Sequence, residues 1–444
     1  MSRLALPLAA VLLAGCRTAT PPAPPGVPGM AGPDPSTVAA PLPEDPLAGL
    51  LAKERIVLGD LLAVAEVRNP DLAADRKDLD LASVAVEEAG LLPNPTGVVG
   101  WEDWRPRDGA TVGRMERTMG VRLPLVVGGR IGAATSVAGM QREAAACRYA
   151  WRRREVLGEV KGAFVALLAA RGSLGLARES RDIARGLRDL AEERFRAQVA
   201  PEMEVLKAGV HLAEAETGVR QTETGLAVAL GRLRALLGGA EIPEDRCAGE
   251  LASRFALPPG EDPGSWIEAS HPLLEAARRS REAAELGVAL ARAEAVPDFG
   301  LELAAGVGAG DDAIVAGTLE FPLPVFHRNQ PRIAAAEARV LQAGLRVEAV
   351  RNDLRYRLSV AHREFLAAED RVKSYEEEIL PRARKALEQT GEGYRQGKFG
   401  FLEVLDAQRT LAEARSAHVA ALSDMNARAL EMETLAGVSL EHVR

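Results

Sequence analysis

Apolar residues recur with a helical period in two long parts of the chain. Residues spaced alternately by four and three positions run from Val156 to Ala177, and a matching run extends from Leu354 to Ile379. This spacing forms the heptad seam of helices that pack side by side over many turns. The pattern therefore predicts two long helices, at about 130–196 and about 332–396.

Shorter periodic segments accompany the two long ones. They predict helices at about 48–90, 203–237, 266–294 and 401–436. Pro381 lies inside the second long helix and lacks the N–H that a helical hydrogen bond requires, so it predicts a kink there. The first long helix, at about 130–196, would be about 100 Å long. Two of the shorter helices stacked end to end would match that length.

Four short segments alternate apolar and polar residues with period two. They are 96–104, 118–125, 299–307 and 315–323. Strands of about 9–11 residues with one apolar face fit a transmembrane β-barrel, and a soluble sheet packed on helices fits the same pattern. Trp101 and Trp104 in the first segment are either anchors at a membrane interface or core residues.

The chain contains one unit of about 200 residues twice. Residues 195–238 align without gaps to 394–437 at an offset of 199. Internal similarity of this length indicates a duplicated domain rather than a solenoid. We therefore divide the chain into two repeats, an equatorial linker and a tail. Repeat 1 is 48–238 with strands at about 96–126, the linker is 239–264, repeat 2 is 265–438 with strands at about 298–325, and the tail is 439–444.

The N-terminus carries an export signal. An apolar stretch too short to span a membrane ends in Leu13-Ala14-Gly15-Cys16, which resembles a bacterial lipoprotein cleavage site. Residues 1–15 are then the signal peptide, and Cys16 carries the lipid, palmitate included. Arg17 stands where an aspartate would resemble the inner-membrane retention signal, so we expect the outer membrane. The proline-rich segment 16–47 is a semi-extended tether.

Composition narrows the function. The formal net charge of −8 argues against a nucleic-acid partner, and three cysteines rule out a disulfide scaffold. The six histidines show no metal-ligand spacing, and no nucleophile–base set is found. We therefore expect neither an enzyme nor a bound cofactor or metal.

The number of strands decides between the two kinds of sheet. Four strands cannot close a barrel, and open strand edges in lipid leave backbone groups unpaired. A lipid-anchored chain with four membrane-type strands must therefore oligomerise. Two copies would supply about 8 strands, with an interior filled by side chains, and three copies would supply about 12, wide enough to conduct.

Two motifs carry a resemblance to a known family. The segment from Tyr394 to Gln408, YRQGKFGFLEVLDAQ, resembles the periplasmic helix-turn-helix tip of TolC-like outer-membrane efflux channels. The segment from Leu323 to Gln330, LPVFHRNQ, resembles the exit from the barrel in the heavy-metal branch of CzcC- and CusC-like lipoproteins, although Pro331 replaces a frequent glycine. The resemblance covers nearly all of the chain from about residue 48.

The resemblance implies a mainly α fold with a small β part. Long antiparallel helical hairpins would form an α-barrel, and four strands from each protomer of a homotrimer would form a 12-stranded transmembrane β-barrel. The channel would be anchored in the outer membrane with its helices in the periplasm. It would work with a periplasmic adaptor and an inner-membrane RND pump as the passive exit duct of a tripartite system, for drugs or heavy-metal cations.

The resemblance also places candidate site residues. Family members narrow the tunnel with acidic side chains at the tip, and the matching residues here are Glu403 and Asp406, at positions i and i+3 of one helix. The same carboxylates could instead interact with a helix dipole and face solvent. The two tips are the expected adaptor contacts. They comprise Gln198, Val199, Ala200, Pro201, Gly397, Lys398, Phe399 and Gly400, continuing to Phe401.

Two other functions fit parts of the sequence. A non-conducting periplasmic coiled-coil adaptor also has a helical hairpin, and a structural coiled-coil lipoprotein would use the same anchor. Neither explains two lipid-compatible strand hairpins at a period of about 200 residues. Pore formation in planar bilayers would separate the channel from both.

Overall fold

The computed structural model describes residues 45–102, 116–256, 266, 271–308, 312–437 and 441–442. The signal peptide, Cys16, most of the tether and Trp104 lie outside the described residues. The described α-helices are α1 (Leu47–Leu51), α2 (Leu58–Arg68), α3 (Pro70–Ala89), α4 (Arg130–Arg196), α5 (Glu202–Leu236), α6 (Pro272–Ala293), α7 (Gln330–Ser374), α8 (Leu380–Arg395) and α9 (Phe401–Ala436).

The first long helix is confirmed at both predicted ends. Helix α4 packs against α3 and α6 in its first half and against α5 and α9 in its second half. Its heptad positions Val156, Val160 and Leu167 are buried, as the seam predicts. By length and composition α4 could also cross a membrane, but the core helix of a soluble protein has the same properties.

The second long helix changes geometry beside Pro381. Helix α7 is followed by a π-helical turn, Tyr375–Ile379, and then by α8. Pro381 has no N–H to donate to the carbonyl four residues earlier, which belongs to Glu377 in that turn. The structure thus has a π turn next to the position where Pro381 predicts a kink. The seam residues Leu354, Leu358 and Phe365 of α7 are buried.

The prediction of one continuous helix at 48–90 is wrong. The segment consists of α1, α2 and α3, separated at 52–57 and at Asn69. Ile56 interrupts it by pairing with the linker, where its N–H donates to the carbonyl of Arg246 and its carbonyl accepts from the N–H of Ala248. Asn69 ends α2 because its side chain caps α3, and Pro70 fits the first helical position.

Four strands form an antiparallel sheet in the order β1 (Thr96–Glu102), β2 (Glu116–Leu125), β4 (Phe299–Val307) and β5 (Ala313–Glu320). The fourth strand ends three residues before the predicted end at 323, because Pro322 cannot donate to a ladder. Val121 lies opposite Leu303, and Leu123 lies opposite Leu301. The sheet therefore has one apolar face, as its alternation predicts.

The equatorial linker and the tail contain more structure than predicted. Within 239–264 the chain forms a 3₁₀ turn, Glu244–Arg246, and the short strand β3, Phe255–Ala256. Strand β3 pairs with β6, Glu441–His442, in the segment assigned to the C-terminal tail. The first helix of repeat 2, α6, begins at Pro272 rather than at about 266, and residues 267–270 lie outside the described residues.

The two halves follow the same order of elements: a short helix, two strands, a long helix and a returning helix. Each returning helix ends beside a polar cap. Asn69 caps α3 and donates to the carbonyl of Leu236 over 2.8 Å. His271 occupies the aligned position, caps α6 through its Nδ1, and is also buried. Both observations agree with a duplication.

Candidate functional site

Two helical hairpins end in tight turns, one in each half of the chain. The α4–α5 turn places Gln198 at φ +60°, and the α8–α9 turn places the aligned Gly397 at φ +71°. In each turn, two N–H groups donate to one carbonyl of the preceding helix, that of Arg194 or that of Gly393. The two tips are therefore the same local structure, with glycine in the left-handed conformation only in the second.

A small apolar cluster joins the two hairpins just behind their tips. Its buried members come from α4, α5, α8 and α9, so all four helices meet there. They are Ala191, Ala208, Tyr394, Phe401 and Val404. Small alanines on the first hairpin face aromatic residues on the second, which allows the helices to approach closely. The cluster fixes the position of one tip relative to the other.

A polar contact crosses the same cluster. The hydroxyl of Tyr394 donates to Oε2 of Glu204 over 3.3 Å, and the Arg194 guanidinium carbon lies 4.4 Å from the centre of the Tyr394 ring. Burial, aided by the negative charge of Glu204, raises the pKa of Tyr394. This contact was not predicted. One sequence feature points to it. The residue aligned with Tyr394 in repeat 1 is Phe195, so the hydroxyl that makes the contact occurs only in repeat 2.

The two candidate gate carboxylates lie on α9 directly after the tip. Glu403 and Asp406 are both exposed, and they are less than one helical turn apart, on one face. Glu403 is also in the first turn of α9, where a carboxylate interacts favourably with the helix dipole. The aligned residues of the first hairpin are Glu204, which is engaged by Tyr394, and Lys207.

The candidate contact residues differ in exposure. Val199 is 68% exposed and Phe399 is 47% exposed, so each tip presents an apolar side chain. Ala200, in contrast, is buried, and Pro201 precedes α5 as its N-cap. The other predicted tip residues are exposed: Gln198, Pro201, Gly397, Lys398 and Gly400.

The polar face of the sheet carries an ion-paired arginine at its centre. Arg122 on β2 donates to Oε2 of Glu302 on β4 over 2.7 Å, and its Nη1 lies 3.8 Å from Oε2 of Glu320. The arginine thus connects β2 to two acidic neighbours. Trp101 extends from the opposite, apolar side of β1 and is 65% exposed. The sheet therefore separates a charged face from an apolar one.

Within the described part of the chain, no group of three or more His, Cys, Asp or Glu side chains is arranged to hold a metal ion. Cys147 and Cys247 are both free. The features that stand out are thus the two tips, the sheet and the faces of the helices between them.

Comparison with known proteins identifies the family. The family model described as "Outer membrane efflux protein" matches two segments, 61–239 and 265–438. The chain is 28% identical over 384 residues to the cobalt-zinc-cadmium resistance protein CzcC of Cupriavidus metallidurans, covering 86% of this chain and 90% of that protein. It is also 28% identical over 247 residues to the nickel-cobalt-cadmium resistance protein NccC of Alcaligenes xylosoxydans xylosoxydans, covering 53% of each.

A solved structure supports the same assignment at the level of the fold. The structure of CusC superposes with a TM-score of 0.71 at 17% identity and covers 87% of this chain and 93% of that one. TolC-like channels of this kind combine a helical barrel with a trimeric β-barrel. The chain belongs to the outer membrane efflux protein family.

Proposed function

We propose that this protein is the outer-membrane duct of a tripartite efflux system. Three copies form a 12-stranded barrel in the membrane and a helical tunnel in the periplasm. An inner-membrane RND pump and a periplasmic adaptor deliver the substrate to the tips, and the duct passes it on without chemical change. Members of the family are efflux channels rather than enzymes.

The observation that carries this proposal is the sheet. Its four strands have one apolar face, suited to lipid, and one face with the Arg122–Glu302 pair, suited to water. Each outer strand, β1 or β5, pairs with only one other described strand, so each keeps a free edge. In lipid such edges must be paired by further copies of the sheet. Oligomeric closure is therefore part of the function.

We propose divalent metal cations as substrates. Two relatives are named for resistance to cobalt, zinc, cadmium and nickel. Glu403 and Asp406 support this proposal, because three copies of the exposed pair would surround the tunnel mouth with six carboxylates. A ring of carboxylates attracts cations, and mutual repulsion opposes its closure. The exposed tip residues around Gly397 and Gln198 are the proposed contacts with the adaptor.

Neutralising the proposed gate tests the function. In planar bilayers, wild-type trimers should conduct with a preference for cations. Glu403→Gln with Asp406→Asn should lower that preference and change the conductance several-fold, because six charges disappear from one constriction. Glu377→Gln with Glu388→Gln removes as many exposed charges from α8 and the preceding turn, and it should leave selectivity unchanged. Unaltered selectivity in the first variant contradicts the gate, and absence of pores in the wild type contradicts the channel.

The proposed lipid anchor has a separate test. Cys16→Ser should abolish incorporation of labelled palmitate, because Cys16 is the acylated residue. Protein whose barrel has not yet assembled should then be absent from the outer-membrane fraction, because it has no lipid anchor. Cys147→Ser serves as the control, because this half-buried cysteine lies within α4, and it should be labelled as in the wild type. Persistent labelling of Cys16→Ser would show that the N-terminal motif is not the lipid site.

A further inference from the structure

A cavity of about 220 Å³ lies between the two helical hairpins, farther from the tips than the apolar cluster behind them. All four helices of the hairpins, α4, α5, α8 and α9, contribute to its wall. On α4 the wall extends from Ser173 to Ile183, before Ala191 of the apolar cluster, and on α9 it begins at Gln408, after Val404 of that cluster. The hairpins therefore pack closely behind the tips and separate beyond them.

Gln408 on α9 places a buried amide in the wall of this cavity. The residue is only 4% exposed, and neither its Oε1 nor its Nε2 has a hydrogen-bond partner among the described residues. Buried polar groups in proteins are nearly always hydrogen-bonded, because an unpaired one is unfavourable. The aligned residue of repeat 1 is Gly209, so helix packing common to the two repeats does not require the amide. The amide is therefore suited to bind a molecule from outside the chain.

The other polar groups of the cavity favour a neutral ligand. Hydroxyl groups come from both hairpins, those of Ser173, Ser180, Thr222 and Ser416. The hydroxyl of Thr222 donates to the carbonyl of Val219 over 2.9 Å, so its oxygen can still accept a hydrogen bond. Among the described lining residues only Arg415 is charged, and it donates to Oε1 of Glu179 over 2.6 Å. This ion pair offsets the charge of the arginine within the chain.

Apolar side chains form the rest of the wall and limit the kind of ligand further. They include Leu176, Ala177, Leu387, Leu411 and Ala412. A sugar or cyclic polyol matches such a mixed wall, because its C–H bonds form an apolar face and its hydroxyl groups project from the edge. Two neighbouring hydroxyl groups also fit a primary amide, since one donates to Oε1 and the other accepts from Nε2.

The size of the cavity sets the size of the ligand. Its volume of about 220 Å³ corresponds to about seven water molecules at ~30 Å³ each. Pockets for drug-sized ligands are larger, at about 300–1,000 Å³. The cavity is therefore suited to a single monosaccharide ring and too small for a longer oligosaccharide.

We propose that the cavity binds one small neutral polyol, of the size of a monosaccharide, with two neighbouring hydroxyl groups on the amide of Gln408. This binding site goes beyond the proposed efflux function, because the molecule is held between the helices rather than passed along the tunnel. The polar lining groups belong to both hairpins, so the bound polyol connects α4 and α5 to α9 through hydrogen bonds. Binding therefore stabilises the two hairpins in their present arrangement.

Calorimetric titration of the purified full-length protein with glucose and with myo-inositol tests the site. At least one of the two should bind saturably, one molecule per protomer, with a Kd in the millimolar range or tighter, and should raise the melting temperature. Gln408→Met keeps an unbranched side chain of similar length without the amide, so it should weaken binding at least tenfold. Its melting temperature without ligand should be unchanged or higher, because two unpaired polar atoms are gone. Gln141→Met, an exposed position in the first half of α4, is the matched control and should bind as the wild type does.

Gly218→Leu tests the cavity by a second route. Gly218 lines the cavity, and an added Cβ there meets nothing within 4 Å, so a leucine can occupy the space without displacing the backbone. Leucine also favours the helix over glycine, so α5 should stay folded. This variant should lose saturable binding while its trimers remain as stable as those of the wild type.

The outcomes separate this site from the channel. Absence of saturable binding to the wild type, or unchanged binding to Gln408→Met, would overturn the polyol site. Tighter binding of glucuronate than of glucose would overturn the neutral ligand, because the two rings differ by a carboxylate. Conducting trimers that bind neither probe would overturn the site and leave the channel intact. Binding that depends on Gln408 in a protein that forms no pores would support the site and contradict the channel.

Discussion

Gly238→Ala should be among the most destabilising single substitutions in the described part of the protein. Gly238 adopts φ +67°, where an L-residue is strained by about 1–2 kcal/mol. A Cβ there would lie 2.4 Å from the carbonyl oxygen of Arg68, which is backbone and cannot move aside alone. Displacing it disturbs the buried hydrogen bond from Asn69 to Leu236, worth about 1–3 kcal/mol if broken. We expect a total loss of about 3 kcal/mol, measured as a lower melting temperature of the purified trimer.

Two other glycines separate the effect of backbone strain from that of the contact with the Arg68 carbonyl. Gly239 has φ +78° and nothing within 4 Å of an added Cβ, so Gly239→Ala should show the strain alone, about 1–2 kcal/mol. For Gly437, aligned with Gly238, the atoms nearest to an added Cβ belong to the Arg154 guanidinium, which can move away. Equal losses for Gly238→Ala and Gly239→Ala would show that the contact with Arg68 is unimportant.

The sequence predicted the helices and strands where their determinants are local. The spacing of Leu354, Leu358 and Phe365 depends only on residues within the same helix, and all three are buried. The break at Ile56 depends on Arg246 and Ala248, nearly 200 positions away. No local pattern contains that pairing, so the segment 48–90 was predicted as one helix. The pairing of the tail with β3 was missed for the same reason.

The candidate site was predictable to a similar extent. The turns at Gln198 and Gly397 follow from aligned motifs, and both adopt positive φ. The contact between Tyr394 and Glu204 joins different repeats, 190 positions apart. Aligning two repeats compares each residue with its counterpart, and it does not indicate which residues of one repeat touch the other. Contacts between the two hairpins therefore could not be predicted from the sequence and are seen only in the structure.

Gly393→Ala should abolish export while leaving the trimer assembled. A Cβ at Gly393 would lie 2.1 Å from the ring of Phe399, so the ring must leave its place on the tip. In repeat 1 the large and small side chains exchange places. The large Arg194 is aligned with Gly393, and the small, buried Ala200 is aligned with Phe399. Only one of the two positions can be large. Displacing Phe399 should weaken adaptor binding at least tenfold, since an aromatic residue on an exposed tip has the properties of an interface anchor.

Gly391→Ala is the matched control, two residues earlier in α8. Nothing lies within 4 Å of a Cβ there, so alanine should raise helix stability by about 0.5–1 kcal/mol and preserve export. Phe399→Ala should reproduce the export defect of Gly393→Ala, because both remove the ring from the tip. Adaptor binding would be measured on purified trimers, and export as resistance of cells to the substrate. Normal adaptor binding by Phe399→Ala would mean that the tip acts through other residues, and a defect confined to Gly393→Ala would then reflect distortion of the turn itself.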